Sequence, residues 1–307
     1  MVRETHVGID DLVYPLFVVH GNDIREEISG LPGIYHFSVD RIIEEVHEVR
    51  ELKIPAVLLF GLPARRDAAA SESYSEYGIV QSAIREIKAA VPDMLVISDT
   101  CLCEYTENGH CGIVEDGALD NDRSLELLTR VAVSQADAGA DIVAPAAMLD
   151  GQIAALRRGL DAEGHSLTAI MSYSAKYASA LFDPFFKEGT HSVVTFGDKK
   201  THQMDFGNAE EALREIEMDI EEGADIVMVK PGMMHLDVVY RAKERFGRPL
   251  AVYSVSGEYA MMKAAVQQER IDERRVLDEM VTAMKRAGAD IIITYYAKEL
   301  ARLLRIG

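Results

Sequence analysis

Two lysines and three cysteines carry the chemistry this sequence offers. Lys230 ends the segment Asp225-Ile-Val-Met-Val-Lys230-Pro-Gly232. The apolar run before it has no polar alternation, the pattern of a strand covered on both faces, and Pro231-Gly232 stops it. An amine held in apolar surroundings loses affinity for its proton, and the neutral amine is a nucleophile towards carbonyls. The plainer reading is a strand-end lysine that snorkels to solvent. Lys176, in Met171-Ser-Tyr-Ser-Ala-Lys176, falls just beyond another expected strand. Two lysines converging on one mouth repel each other's charge, which favours imine chemistry at both.

Cys101, Cys103 and Cys111 fall within eleven residues, in Asp99-Thr-Cys101-Leu-Cys103-Glu-Tyr-Thr-Glu-Asn-Gly-His-Cys111. Zinc takes thiolates, and three protein ligands leave a fourth position open for water or substrate. His110 or Asp99 are the neighbours that would close the tetrahedron. The alternative is a chance cluster of small buried hydrophobes. An odd number of cysteines without a secretory signal argues against a disulfide framework and for a cytoplasmic metal site.

Composition sets the outer bounds. The 307 residues carry 51 acidic against 32 basic side chains, a net charge of −19. Such a surface opposes nucleic-acid binding, which depends on Lys and Arg neutralising phosphates. No apolar run is long enough to span a bilayer, and Met-Val-Arg-Glu-Thr-His lacks the core of a signal peptide. With 48% hydrophobic residues the chain can bury a large core.

The elements that must position these residues alternate. Strands are expected at 12–19 (interrupted by Pro15), 56–60, 94–98, 141–144, 167–171, 225–230, 250–254 and 290–294. Helices are expected at 39–52, with Ser38 as N-cap, and at 79–90, 122–138, 152–160, 209–222, 237–246, 259–267, 273–286 and 297–304. Long loops are expected at 61–77, 100–117 and from strand five to about residue 207. Gly-Ala-Asp stands before strands four, six and eight, at 139–141, 223–225 and 288–290. Eight strand–helix units without a linker predict one α/β domain over 1–307, a (β/α)8 TIM barrel, with residues 1–10 as a short N-terminal arm. The competing open sheet lacks its Gly-x-Gly-x-x-Gly turn. Barrel active sites form at the carboxyl ends of the strands. Those ends are Asp99, Pro145, Ser172, Lys230, Ser256 and Tyr295, with Lys176 just past the fifth.

Over nearly its whole length the chain resembles the porphobilinogen synthase (5-aminolevulinate dehydratase) family. The segments that carry the resemblance are Asp11-Leu-Val-Tyr-Pro-Leu-Phe17, Leu31-Pro-Gly33, Asp99-Thr-Cys-Leu-Cys-Glu-Tyr105, Gly109-His-Cys-Gly112, Ser174-Ala-Lys176, Met228-Val-Lys-Pro-Gly232, Ser256-Gly-Glu258 and Ile293-Thr-Tyr295. The resemblance implies a hydro-lyase that condenses two 5-aminolevulinates into a pyrrole, porphobilinogen, with loss of two waters, a step of tetrapyrrole and heme biosynthesis. It implies that Lys230 holds the first substrate as a Schiff base, with Ser256 and Tyr295 receiving its carboxylate. Lys176 and Asp99 would belong to the second-substrate site, and Gln203, Lys199 and Phe185 to the lid over the mouth. Cys101, Cys103 and Cys111 would ligate a catalytic zinc. Glu215 matches a carboxylate that holds an allosteric magnesium between subunits in bacterial relatives, and a solvated helix face is the plain alternative. The family's homo-oligomer is an octamer built with a longer arm than this chain has.

The departures from the family gather at the second-substrate site. The family's lid arginine after Pro-Phe is Phe186 here, beside Lys187, and a second lid arginine is Lys199. Ala146, Ala147 and Gln152 replace serine, aspartate and arginine of another motif. This leaves a second reading, a paralogue that binds one 5-aminolevulinate on Lys230 and joins it to a different partner, and a third, a catalytically weak relative.

Overall fold

In the computed structural model, residues 1–195 and 197–306 are described, apart from the side chains of 183–186 and 306. The strands are β1 (Leu12–Val19), β2 (Arg25–Glu27), β3 (Tyr35–Ser38), β4 (Ala56–Leu62), β5 (Leu95–Thr100), β6 (Ile113–Glu115), β7 (Ala118–Asp120), β8 (Ile142–Pro145), β9 (Ala169–Lys176), β10 (Ile226–Lys230), β11 (Leu250–Ser254) and β12 (Ile291–Thr294). The helices are α1 (Val39–Glu51), α2 (Ile79–Ala90), α3 (Asn121–Asp137), α4 (Gln152–Ala162), α5 (Asp183–Thr190), α6 (Ala209–Glu222), α7 (Leu236–Phe246), α8 (Ser256–Gln267), α9 (Glu273–Ala287) and α10 (Ala297–Ile306).

Eight strands, β1, β4, β5, β8, β9, β10, β11 and β12, pair in parallel, and β12 returns to β1 through Leu12 opposite Ile292. This is a closed (β/α)8 barrel, as the alternating pattern predicts. The strands are buried on both faces because side chains fill the interior and helices cover the outside. The Gly-Ala-Asp repeats stitch its floor. In each the aspartate donates its own N–H to the preceding strand (Val96, Ile170 and Leu250 oxygens, 2.8–3.0 Å). Its carboxylate then accepts the N–H of that same residue, at 2.8 Å from Val96 and Ile170 and 2.9 Å from Leu250.

Several boundaries differ from the sequence expectation, each for a physical reason. Pro15 does not interrupt β1: on the side away from β4, pairing ends at Val13 and restarts at Phe17 with β3, so Pro15 lies in the gap between partners. Ser38 does not cap α1 with its side chain; its hydroxyl accepts the N–H of Ile24, 2.9 Å away. The loop over 100–117 contains a hairpin arm: β6 and β7 turn through Asp116 and Gly117, both left-handed, and Asp-Gly is the dipeptide such turns favour. The loop over 61–77 holds a 3-10 turn at Ser71–Tyr74, and the one after strand five holds α5. α8 starts at Ser256, three residues early, because the Glu258 carboxylate accepts the Val255 N–H at 2.9 Å. The fifth strand runs on to Lys176, which lies within β9, paired with Lys230 on β10.

Candidate active site

Apolar strand sequence carries Lys230 to the mouth end of β10, and the 96%-covered side chain turns into the barrel. Its Nζ lies 3.9 Å from the ring centre of Phe182, 5.1 Å from Tyr253 and 5.3 Å from Tyr173. Burial, and then the charge of Lys176, pull the Lys230 amine down from 10.5 to about 7. The loop beyond is fixed from both sides. Gly232 donates to Tyr253 O at 2.8 Å, and the buried Glu258 carboxylate accepts from Met233 N at 2.8 Å. That contact ties the end of β10 to the start of α8, where Ser256 sits.

Lys176 is equally buried, and its Nζ donates to the carbonyl of Ala146 at 2.5 Å. Burial works against its charge, but the cysteine cluster, Cys111 foremost, outweighs it and raises the pKa. The pair is therefore asymmetric, against the expectation that both amines are lowered: that of Lys230 is pulled down while that of Lys176 is held up by the cysteines. Asp99, partly buried at the end of β5, is pushed up to about 7 by burial and the Glu104 carboxylate, against the pull of both lysines. A carboxyl poised there can give or take a proton at neutral pH.

The three cysteines gather with all sulfurs within 4.8 Å of one another, Cys101 and Cys103 being 3.3 Å apart. Tetrahedral zinc places thiolates about 3.8 Å apart, so the cluster fits such an ion with little adjustment. Thiol hydrogen bonds from Cys101 and Cys103 pull Cys111 well down, while burial pushes Cys103 up. Of the neighbours weighed as a fourth ligand, His110 does not join this group, and Asp99 forms a second grouping with Cys101 and Glu104. The cysteine loop is held by the segment after α5. Ser192 Oγ donates to Cys103 O at 2.8 Å and Thr195 N to Asn108 O at 3.1 Å. Gly109 makes that approach possible, since a Cβ there would stand 2.5 Å from Val193 O.

Ser256 and Tyr295 line one narrow space with Phe17, Phe60, Phe182 and Tyr253, and the Tyr295 hydroxyl lies 3.2 Å from that of Tyr253. Lys199 and Gln203 are buried in the segment that closes over the mouth. Lys199 Nζ is 5.9 Å from the Phe182 ring, and Gln203 Nε2 has no hydrogen-bond partner among the described residues. Met204 N donates to Lys176 O at 3.1 Å, anchoring this segment on β9. The side chains of Phe185 and Phe186 lie outside the described residues. Lys187 is exposed, Ala146 and Ala147 are buried, and the Oε1 of buried Gln152 has no hydrogen-bond partner among the described residues. Glu215, on α6, lines a groove of about 600 Å³ with Asp150 and Glu211, and Gln203 and His110 border the same groove. Sequence reading missed Tyr173, Phe182, Tyr253 and Glu104. An aromatic residue near the mouth end of a barrel strand was the available signal for both tyrosines.

The model of one protein family, delta-aminolevulinic acid dehydratase, matches residues 1–303. The chain belongs to that family. The delta-aminolevulinic acid dehydratase of Halalkalibacterium halodurans is 53% identical over 304 residues, covering 99% of this chain and 92% of that one. That of a Synechocystis species is 52% identical over 309 residues, covering 99% and 94%. A crystal structure of delta-aminolevulinic acid dehydratase (porphobilinogen synthase) from Toxoplasma gondii, in complex with the reaction product porphobilinogen, superposes with a TM-score of 0.95. It is 42% identical and covers 98% of this chain and 86% of its own.

Proposed function

We propose that the chain is a porphobilinogen synthase, condensing two 5-aminolevulinates with loss of two waters, and that Lys230 is its imine-forming residue. One observation carries the reading: a buried amine held near neutrality by burial and by a second lysine directly across the sheet. The Lys230 amine attacks the ketone carbon of the first 5-aminolevulinate, and the carbinolamine loses water to give a Schiff base. Ser256 and Tyr295 offer hydroxyls to that substrate's carboxylate. Lys176, charged and fixed to Ala146 O, serves the second substrate, with Gln203 and Lys199 above it. Asp99, whose carboxyl feels the charge of both lysines, moves protons as carbon–carbon and carbon–nitrogen bonds form. The three cysteines are read as ligands of zinc, which would supply a Lewis-acid position beside the second substrate.

Glu215 as a magnesium ligand rests on its position in an acidic groove and on the resemblance. The homo-oligomer rests on the resemblance as well. A cytoplasmic setting rests on three cysteines kept as thiols. No helix among the described residues is long and apolar enough to cross a membrane. The deciding experiment incubates the protein with 5-aminolevulinate, with and without zinc, and follows pyrrole formation. A parallel sample is treated with borohydride and mapped. A pyrrole product and label on Lys230 are expected; label on other lysines only would remove Lys230 from its role. Consumption of 5-aminolevulinate only with a different amine or carbonyl compound would favour the paralogue.

A further inference from the structure

Lys176 faces the barrel interior against the parity of its own strand. Ser172 and Ser174 on β9 both turn outward, to α6, where Ser172 Oγ donates to Asp219 Oδ2 at 2.6 Å and the Ser174 hydroxyl, 3.4 Å from Ser172 O, is within reach of the same carboxyl. Strict alternation would send residue 176 outward with them. It points inward instead, like Tyr173, whose ring centre lies 5.5 Å from its Nζ. The register explains how. Val227 pairs with Ser172 but Val229 with Ala175, so three steps on β9 oppose two on β10. One extra residue is inserted between Ser172 and Ala175, and such a bulge re-aims the side chains beyond it. Only after it can Lys176 stand opposite Lys230 with both amines inside.

We propose that Asp219 is a positioning residue for Lys176: by clamping Ser172 and Ser174 from α6, it holds the bulge in β9 that turns this lysine into the barrel mouth. The inference rests on the reading that Lys176 serves the second substrate. Asp219 touches no reacting atom; its effect passes through the two serines and the strand. A carboxylate with two oxygens suits the task, since it can accept from both hydroxyls at once.

The test compares Asp219→Ala, Asp219→Asn and the double variant Ser172→Ala/Ser174→Ala with the unmodified protein. Capture of one 5-aminolevulinate on Lys230 by borohydride should persist in all of them, because Lys230 stays buried on β10, while its pH midpoint moves upward in the variants that withdraw the Lys176 charge. Pyrrole formation should lose about 100-fold in kcat/KM in Asp219→Ala, the scale expected when a reacting group shifts by about 1 Å. Asp219→Asn should recover part of this, since its amide oxygen still accepts from one serine. A crystal structure of Asp219→Ala should show Val229 no longer opposite Ala175. Should Asp219→Ala not fold, the asparagine and double-serine variants decide by the same measurements. Unchanged condensation kinetics, or an unchanged register in the variant that loses the clamp, overturns the proposal. Absence of both imine capture and pyrrole in the unmodified protein would instead strike the proposed reaction, and the register would still decide the clamp.

Discussion

An amine that titrates near 7 is half neutral at neutral pH, whereas an ordinary lysine is neutral in roughly one molecule in three thousand. That difference separates Lys230 from its buried neighbours Lys176 and Lys199, whose amines are shifted upward. The charged form cannot attack a carbonyl, so imine formation should follow the neutral fraction. Borohydride capture under non-saturating reductant should rise about tenfold per pH unit below about 6 and level off above about 8. A rate still climbing towards pH 10 would return Lys230 to the ordinary range. The cysteine loop gives a second outcome at this scale. Chelation should abolish pyrrole formation and added zinc restore it, and Cys103→Ser should bind the ion less tightly by metal analysis. Full activity in a rigorously metal-free sample would refute the metal assignment. The lysine motifs and the cysteine loop were legible in the sequence because each is local, a few residues whose types state their chemistry. Asp219 was not: a carboxylate on a helix becomes meaningful only when strand register shows what it holds.

Elements show the same division. Strands β10 and β11 were readable because burial on both faces leaves unbroken apolar runs, and Gly-Ala-Asp marked three floor positions. β2 was missed because Arg25-Glu-Glu27 is exposed and charged, so no periodicity betrays it. β9 was cut short because Ser172, Tyr173 and Ser174 look like loop residues, although all three are buried. The segment after β9 carries two of the departures expected from the resemblance, Phe186 and Lys199, and a prediction belongs to it. An arginine grips a carboxylate through two charge-assisted hydrogen bonds; phenylalanine offers none, and lysine lacks the planar fork. A hydrogen bond to a charged group is worth about 1.5–3 kcal/mol, or roughly 10- to 150-fold. Porphobilinogen synthesis should therefore need high 5-aminolevulinate while capture on Lys230 remains normal. Phe186→Arg with Lys199→Arg should lower the KM for the second substrate. Ordinary turnover at low substrate in the unmodified protein would mean that other residues have rebuilt this site.

For the whole molecule the decisive event is closure, since a barrel whose last strand fails to meet its first has no interior in which to hold two lysines. β12 meets β1 over Leu12 and Val13 alone. Side chains outside the sheet reinforce that seam. Lys298 on α10 bridges Glu45 and Glu48 on α1, Arg302 reaches Glu48 at 2.5 Å, and Lys285 on α9 pairs with Asp11 at 2.8 Å. Glu45 is the critical member, because its side chain is 6% exposed while that of Lys298 is 15% exposed. Removing the lysine strands a buried carboxylate, a change that costs about 3–5 kcal/mol when the pair is fully buried. Lys298→Met should therefore lower Tm by several degrees, with both proteins measured at one concentration so that self-association does not enter the comparison. The double variant Lys298→Met/Glu45→Leu removes the stranded charge as well and should regain most of the loss. If the single change leaves Tm within a degree of the original, the seam is held by the strands alone. If the double variant is no better than the single one, the loss came from packing around the lysine stem rather than from an unpaired charge.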